Sequence, residues 1–287
     1  MIKVTPIQTG TVSIRPHHHC GEEGHGPIRR KWEMIRDKEW IEDLPIYTYL
    51  IEHPEGNFLI DSGDTAENTA KDFLPAWHPF FRHGVVVKVA PGEEVGEQLR
   101  VMGMNPAKDL KAVILTHMHH DHAGGLFHFP HNKIIVSREN FEFANSWKGH
   151  IFGCLPNEYP RWLDPELVEF KDNPFGPFAQ SHPLTKDGNV ILVSTPGHMR
   201  GHLSVIVRTP DVTYCIAGDA TYDQDLLLEE LVDGVTYDVE LSKQTLRNFM
   251  ALGQQEPTIL LPAHDLRAGE RLERGLILPR EPKLRAA

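Results

Sequence analysis

Thr116-His117-Met118-His119-His120-Asp121-His122-Ala123-Gly124-Gly125 crowds four imidazoles and a carboxylate into six consecutive positions, 117–122. It follows the apolar run Val113-Ile114-Leu115, so the cluster begins where a buried strand gives way to a loop. Imidazole nitrogens and carboxylate oxygens suit zinc, iron, manganese or cobalt. His117, His119, Asp121 and His122 have the chemistry and the reach to hold two ions side by side. The bland alternative is a histidine-rich surface turn that binds metal adventitiously. A solvated loop needs no such density of histidine, so the metal reading is preferred.

Two ions need about eight to ten donor positions, of which water fills only some, so further donors are sought downstream. His198 follows the apolar stretch 190–194 in Ser194-Thr195-Pro196-Gly197-His198. Asp219 follows 212–217 in Ala217-Gly218-Asp219, and His264 follows 258–261 in Leu261-Pro262-Ala263-His264. Strand ends are rigid and the loops beyond them let side chains converge, so these are expected places for ligands.

The rest of the chain supports a strand-rich fold. Candidate strands are 2–8, 11–15, 46–52, 57–61, 112–116, 133–137, 190–194, 202–208, 212–217 and 258–261, short and β-branched between Gly, Pro, Asn or Asp. Helices are expected over 93–103, 121–127 (capped by Asp121), 138–145, 164–169 and 242–254. That order suits two sheets packed face to face with helices outside, in a single domain over residues 1–287. Segments 16–45, 66–90 and 145–185 are too irregular for ordinary connections and are expected to form an arm or pocket loops. Trp77, Phe80, Phe81, Phe152 and Trp162 within them are candidates to line an apolar pocket, with core or a dimer contact as the equal alternative. His17-His18-His19-Cys20 reads as surface or interface, and Arg29-Arg30-Lys31-Trp32 as a solvated face with one anchoring aromatic.

Composition narrows the functional classes. The 287 residues carry a net charge of -11, which disfavours a nucleic-acid partner because phosphate binding relies on Lys and Arg. No run reads as a signal peptide or a membrane span. Three scattered cysteines, Cys20, Cys154 and Cys215, without a CxxC pair, make a reduced, cytoplasmic protein the expectation.

The ordered set HMHHDHAGG, TPGH, AGDA and PAHD, with the Asp61-Ser62-Gly63 turn after Phe58-Leu59-Ile60, resembles the metallo-β-lactamase superfamily from about Tyr47 to Asp265. The resemblance implies an αββα sandwich with the metals at one edge, between the sheets. It implies that His117, His119 and His198 bind one ion, that Asp121, His122 and His264 bind a second, and that Asp219 bridges both. Asp61 would stand behind the ligands and orient the histidine loop, while His120 matches no ligand position. Two divalent ions are therefore expected, zinc first, with iron, cobalt or manganese as alternatives.

Within the superfamily, the bridging Asp219 separates this chain from the true β-lactamases. Tyr222, three residues after Asp219, is similar to the tyrosine that points into the site of the N-acyl-homoserine lactonases. The segment from Leu44 to Gly56 and the ending Ala263-His264-Asp265 look like that group too. The resemblance implies opening of an acyl lactone by a hydroxide shared between the metals, with Tyr222 donating to the substrate carbonyl or the departing alcohol and Asp121 passing the proton. An aryl ester, phosphotriester or thioester hydrolase on the same scaffold is the rival; a non-catalytic metal protein is disfavoured by the intact donor set. The expected partner is a small acyl lactone or ester, and in the lactonase group a similar arm can join a homodimer.

Overall fold

The computed structural model describes residues 1–69, 73–75 and 78–279. Among these, thirteen strands form two sheets. They are β1 (Lys3–Ile14), β2 (Ile41–Glu52), β3 (Asn57–Ile60), β4 (Val85–Lys88), β5 (Leu110–Ile114), β6 (Ile134–Ser137), β7 (Glu166–Val168), β8 (Lys171–Phe175), β9 (Phe178–Pro183), β10 (Val190–Ser194), β11 (Leu203–Arg208), β12 (Thr213–Gly218) and β13 (Thr258–Pro262). The first sheet runs β4-β1-β2-β3-β5-β6-β7, and the second runs β13-β12-β11-β10-β9-β8.

The central strands are apolar on both faces because both faces are covered. Tyr49, Ile51, Phe58, Ile60 and Ile114 of the first sheet meet Leu192, Val205, Ile216 and Leu261 of the second in the inner core. Their neighbours point outward: Leu50, Leu59 and Val113 pack under Val95 and Leu99 of the helix Val95–Val101. On the opposite face, Val193, Ile206 and Cys215 pack under Leu246, Phe249 and Leu252 of the helix Val239–Gln255. Those three recur at helical spacing, and the Asp238 side chain accepts from the Leu241 N–H to start that helix. The result is the expected αββα layering.

Several elements depart from the sequence reading. The stretches 2–8 and 11–15 are one strand with an irregular register between Gln8 and Thr11, where Gly10 has φ 104°. The helix expected over 164–169 is instead β7, paired parallel with β6; Pro165 opens a segment too short for a helix. β4, β8 and β9 were not anticipated. β8 and β9 form a largely polar hairpin at the outer edge of the second sheet, and β4, the edge strand of the first, buries Val85 and Val87 but spans only four residues. The arm 16–45 contains the helices Pro16–His19 and Pro27–Arg36 and the start of β2. No helix among the described residues is long and apolar enough to cross a membrane.

Candidate metal centre

The donors converge at one edge of the sandwich, from the ends of strands in both sheets. The loop after β5 carries His117, His119, Asp121 and His122, while β10, β12 and β13 lead into His198, Asp219 and His264. The short helix His120–Ala123 starts from His119, with no side-chain cap, so Asp121 does not cap it as expected. Gly218 lets Asp219 enter: it has φ 57°, and a Cβ there would lie 2.8 Å from Thr116 Cβ.

Two donor groups result. His117, His119, His198 and Asp219 bring one ligand atom each within 4.8 Å of one another, as do Asp121, His122 and His264. Asp219 faces both. Its Oδ2 lies 3.7 Å from His198 Nε2 and 3.9 Å from His117 Nε2. Its Oδ1 lies 3.2 Å from His122 Nε2 and 3.3 Å from His264 Nε2. Asp121 Oδ2 is 3.5 Å from His264 Nε2. His122 Nε2 and Asp219 Oδ1 are buried and make no hydrogen bond. Buried polar atoms are normally paired, so these two, aimed into a cage of five imidazoles and two carboxylates, fit a bound cation.

Each imidazole is oriented by a partner behind it. His122 Nδ1 meets Asp61 Oδ2 at 2.8 Å, and His198 Nδ1 meets Asp233 Oδ2 at 3.1 Å. His119 Nε2 faces the Phe152 carbonyl at 2.7 Å, leaving Nδ1 for the site, and His264 Nδ1 faces the Pro45 carbonyl at 2.9 Å. Such partners fix the tautomer and the ring angle of a ligand. Asp61 adopts φ 62° and is held there by Thr116, whose N–H donates to Oδ1 at 2.7 Å and whose hydroxyl donates to Oδ2 at 2.9 Å. Asp61→Asn tolerates that backbone but loses the charge behind His122. It is expected to weaken metal affinity about 10–100-fold, measured by competition with a chromogenic chelator; unchanged affinity would contradict the role given to Asp61.

The electrostatics favour added positive charge. Burial holds His117 well below the ordinary imidazole range, helped by His122 and His119, and brings His119 down to about 3. Burial works against charge on Asp121 too, yet the imidazoles of His122, His120 and His264 hold its carboxyl at about 2. His122, His198 and His264 go the other way. Burial opposes their protonation, but Asp219 and Asp61 beside His122, Asp233 beside His198, and Asp219 beside His264 outweigh it. The carboxylates thus favour positive charge at these three rings, the charge that cations would supply.

His120 turns away from the cage and pairs with Asp64 Oδ2 at 2.8 Å. Tyr222 is buried beside it all, its ring 5.4 Å from His264 and 5.9 Å from His198 between centroids. Tyr222 lines a narrow cavity with Asp121, Asp219, His119 and His264. Its hydroxyl is engaged by His18 Nε2 at 3.0 Å.

His18, Asp233 and His202 were missed in the sequence. His202 accepts from the Asp219 N–H at 3.3 Å and pairs through Nδ1 with the Thr195 hydroxyl at 2.9 Å; the His198-x-x-x-His202 spacing was its only signal. His18 is buried rather than at a surface. The run 29–32 departs from expectation at two positions: Arg29 is exposed as expected, but Arg30 is buried and donates to the Asp233 carbonyl at 3.1 Å, and Trp32 is exposed rather than anchoring.

A groove of about 310 Å³ opens beside His119. Met34 and Ile35 from the arm, Phe80, Ile151 and Phe152 line it. Lys31 lies along it, its Nζ 3.5 Å over the Phe152 ring and donating to the Ile151 carbonyl at 3.3 Å; burial brings this amine down to about 8. Of the aromatic candidates, Phe80 and Phe152 line the groove and Phe81 belongs to the core beside it. Trp162 is at the surface and does not line it, and Trp77 lies outside the described residues.

Fold and cage together define an αββα protein with a histidine–carboxylate metal site at one edge of its sheets. Residues 41–264 match the Metallo-beta-lactamase superfamily, and the chain belongs to that family. An N-acyl homoserine lactonase, AttM, from Azorhizobium caulinodans is 28% identical over 279 residues, covering 92% of this chain and 93% of that protein. An N-acyl homoserine lactonase from a Bacillus species is 29% identical over 228 residues, 78% of this chain and 82% of that one. Among solved structures, an N-acyl homoserine lactone hydrolase with N-hexanoyl-L-homoserine at its catalytic metal centre shares the fold, with a TM-score of 0.72 at 23% identity over 93% of this chain and 95% of that one.

Proposed function

We propose that this chain is a dinuclear-metal hydrolase that opens the lactone ring of N-acyl homoserine lactones. The observation that carries the reading is the pair of donor groups sharing Asp219, set beside an apolar groove. His117, His119 and His198 would hold one divalent ion, Asp121, His122 and His264 the other, with Asp219 common to both. Zinc suits this set, and iron, cobalt or manganese accept the same donors. When bound, two such ions lower the pKa of a water molecule towards neutrality and polarise a carbonyl oxygen.

The chain's own residues do the rest. Met34, Ile35, Phe80 and Phe152 take the acyl chain and exclude water around it. Tyr222 meets the lactone from the wall of the cavity that also carries Asp121 and Asp219. Asp121 takes the proton from the attacking water at its carboxylate and returns it to the ring oxygen as the C–O bond breaks. The product is an N-acyl-homoserine. Named relatives that cover most of the chain support the same substrate class.

The reading is tested with the metal-loaded protein on acyl-homoserine lactones of several chain lengths beside an aryl ester, a phosphotriester and an S-acyl glutathione. The lactones should give the highest kcat/KM. Turnover of another member with no ring opening would overturn the substrate and leave the metal site standing.

A further inference from the structure

His18 is a buried histidine on the arm, 204 residues away in sequence from the tyrosine it touches. Its ring packs against Phe80 and Tyr222, with centroids 5.2 Å and 5.8 Å apart. The arm is tied down around it. The Gly234 N–H donates to the His18 carbonyl at 2.8 Å, and the Gly21 N–H to the Val232 carbonyl at 3.0 Å. At Gly234 a Cβ would fall 1.7 Å from the His17 carbonyl oxygen, so the arm seats on bare backbone there. His17 and His19 add bonds to Asp37 at 2.6 Å and Asp223 at 2.9 Å. His18 is therefore held in register with Tyr222.

One hydrogen can lie between His18 Nε2 and the Tyr222 oxygen, and its owner decides what Tyr222 offers the cavity. Both partners are neutral near pH 7. A phenol keeps its proton at this pH, and burial lowers the His18 imidazole to about 4. A neutral imidazole carries one N–H. The other nitrogen, Nδ1, faces the Gly84 carbonyl at 3.5 Å, and a carbonyl only accepts. An N–H on Nδ1 suits that contact; an N–H on Nε2 would leave a lone pair against the carbonyl oxygen. With Nδ1 protonated, Nε2 accepts from the Tyr222 O–H.

We infer that His18 is a positioning residue that draws the Tyr222 hydrogen away from the metal cage, so that Tyr222 meets the substrate as a hydrogen-bond acceptor and selects lactones bearing an amide N–H. This rests on the lactonase reading and reverses the donor role that the sequence suggested for Tyr222. In an N-acyl homoserine lactone, the carbon next to the ring carbonyl carries such an N–H. A lactone that brings only acceptors would set its oxygen against the tyrosine lone pairs.

Two measurements test this. In the metal-free protein with 15N-labelled histidine, the His18 signals, identified by their loss in His18→Gln, should show a proton on Nδ1 and none on Nε2, and the Nε2 signal should move in Tyr222→Phe. A proton on Nε2 overturns the inference and needs no turnover to detect. In the metal-loaded protein, kcat/KM for an N-acyl homoserine lactone should exceed that of its N-methylated amide by about tenfold more in wild type than in Tyr222→Phe, the size of one hydrogen bond. His18→Phe should lose this extra selectivity in the wild-type background and cost nothing further in Tyr222→Phe. Equal selectivity in wild type and Tyr222→Phe overturns the acceptor role. A chain that opens no lactone would sink the functional reading, while the NMR result still decides where the hydroxyl points.

Discussion

Asp219→Ala is expected to reduce lactone opening by about a thousandfold or more, the rate equivalent of roughly 4 kcal/mol of transition-state stabilisation. The size follows from its position. It is the carboxylate that faces His117 and His198 through one oxygen and His122 and His264 through the other. Its loss takes a donor from both groups and leaves Asp121 as the only anionic donor for two dications. The loop itself should persist, because His202 holds the backbone N–H of residue 219 rather than the side chain. Metal analysis beside kcat/KM checks this: the variant should fold, hold fewer than two ions per chain and lose activity. A variant that keeps two ions and acts within tenfold of wild type would remove Asp219 from the centre of the account.

Stripping the metal should have the second-largest effect, on stability as well as turnover. The cage gathers Asp121 and Asp219, held as carboxylates, against rings of which three are drawn towards protonation. Cations bind the folded cage and not the open chain, so at a thousandfold excess over Kd they add about 4 kcal/mol. For a chain of this size that raises Tm by roughly 10 °C. Metal uptake competes with the protonation that the carboxylates favour on His122, His198 and His264. Affinity should therefore weaken as pH falls and strengthen as it rises through the raised pKa values of those rings. Thermal melts of stripped and reloaded protein, with metal affinity measured across pH, check both parts. A Tm indifferent to metal, or an affinity that rises towards acid pH, would contradict them.

The parts of this molecule that were legible in the sequence are those in which chemistry and structure lie side by side along the chain. Val113-Ile114-Leu115 and the histidines that follow announce a buried strand and its loop together, and 190–194, 212–217 and 258–261 do the same for His198, Asp219 and His264. What was hidden depends on distant contacts. Asp233 reads as an ordinary loop acid until the fold brings it behind His198. His18 sits in a polar run whose burial follows only from the docking of the arm on residues 232–234. The edge strand Lys171–Phe175 is held by pairing rather than by an apolar pattern, and Val85–Lys88, which buries Val85 and Val87, is too short to stand out within the irregular segment 66–90. The segment 164–169 was misread because Leu167 and Val168 fit a helical turn as well as a three-residue strand.

The central claim is that two ions, held by seven side chains that share Asp219, open an acyl lactone. The most direct test is to strip the chain, return zinc in measured steps, and follow ring opening of an N-acyl homoserine lactone against metal bound per chain. No turnover is expected without metal, with a rise to a plateau at two ions per chain. Full ring opening by metal-free protein, or none with both ions bound, would contradict it.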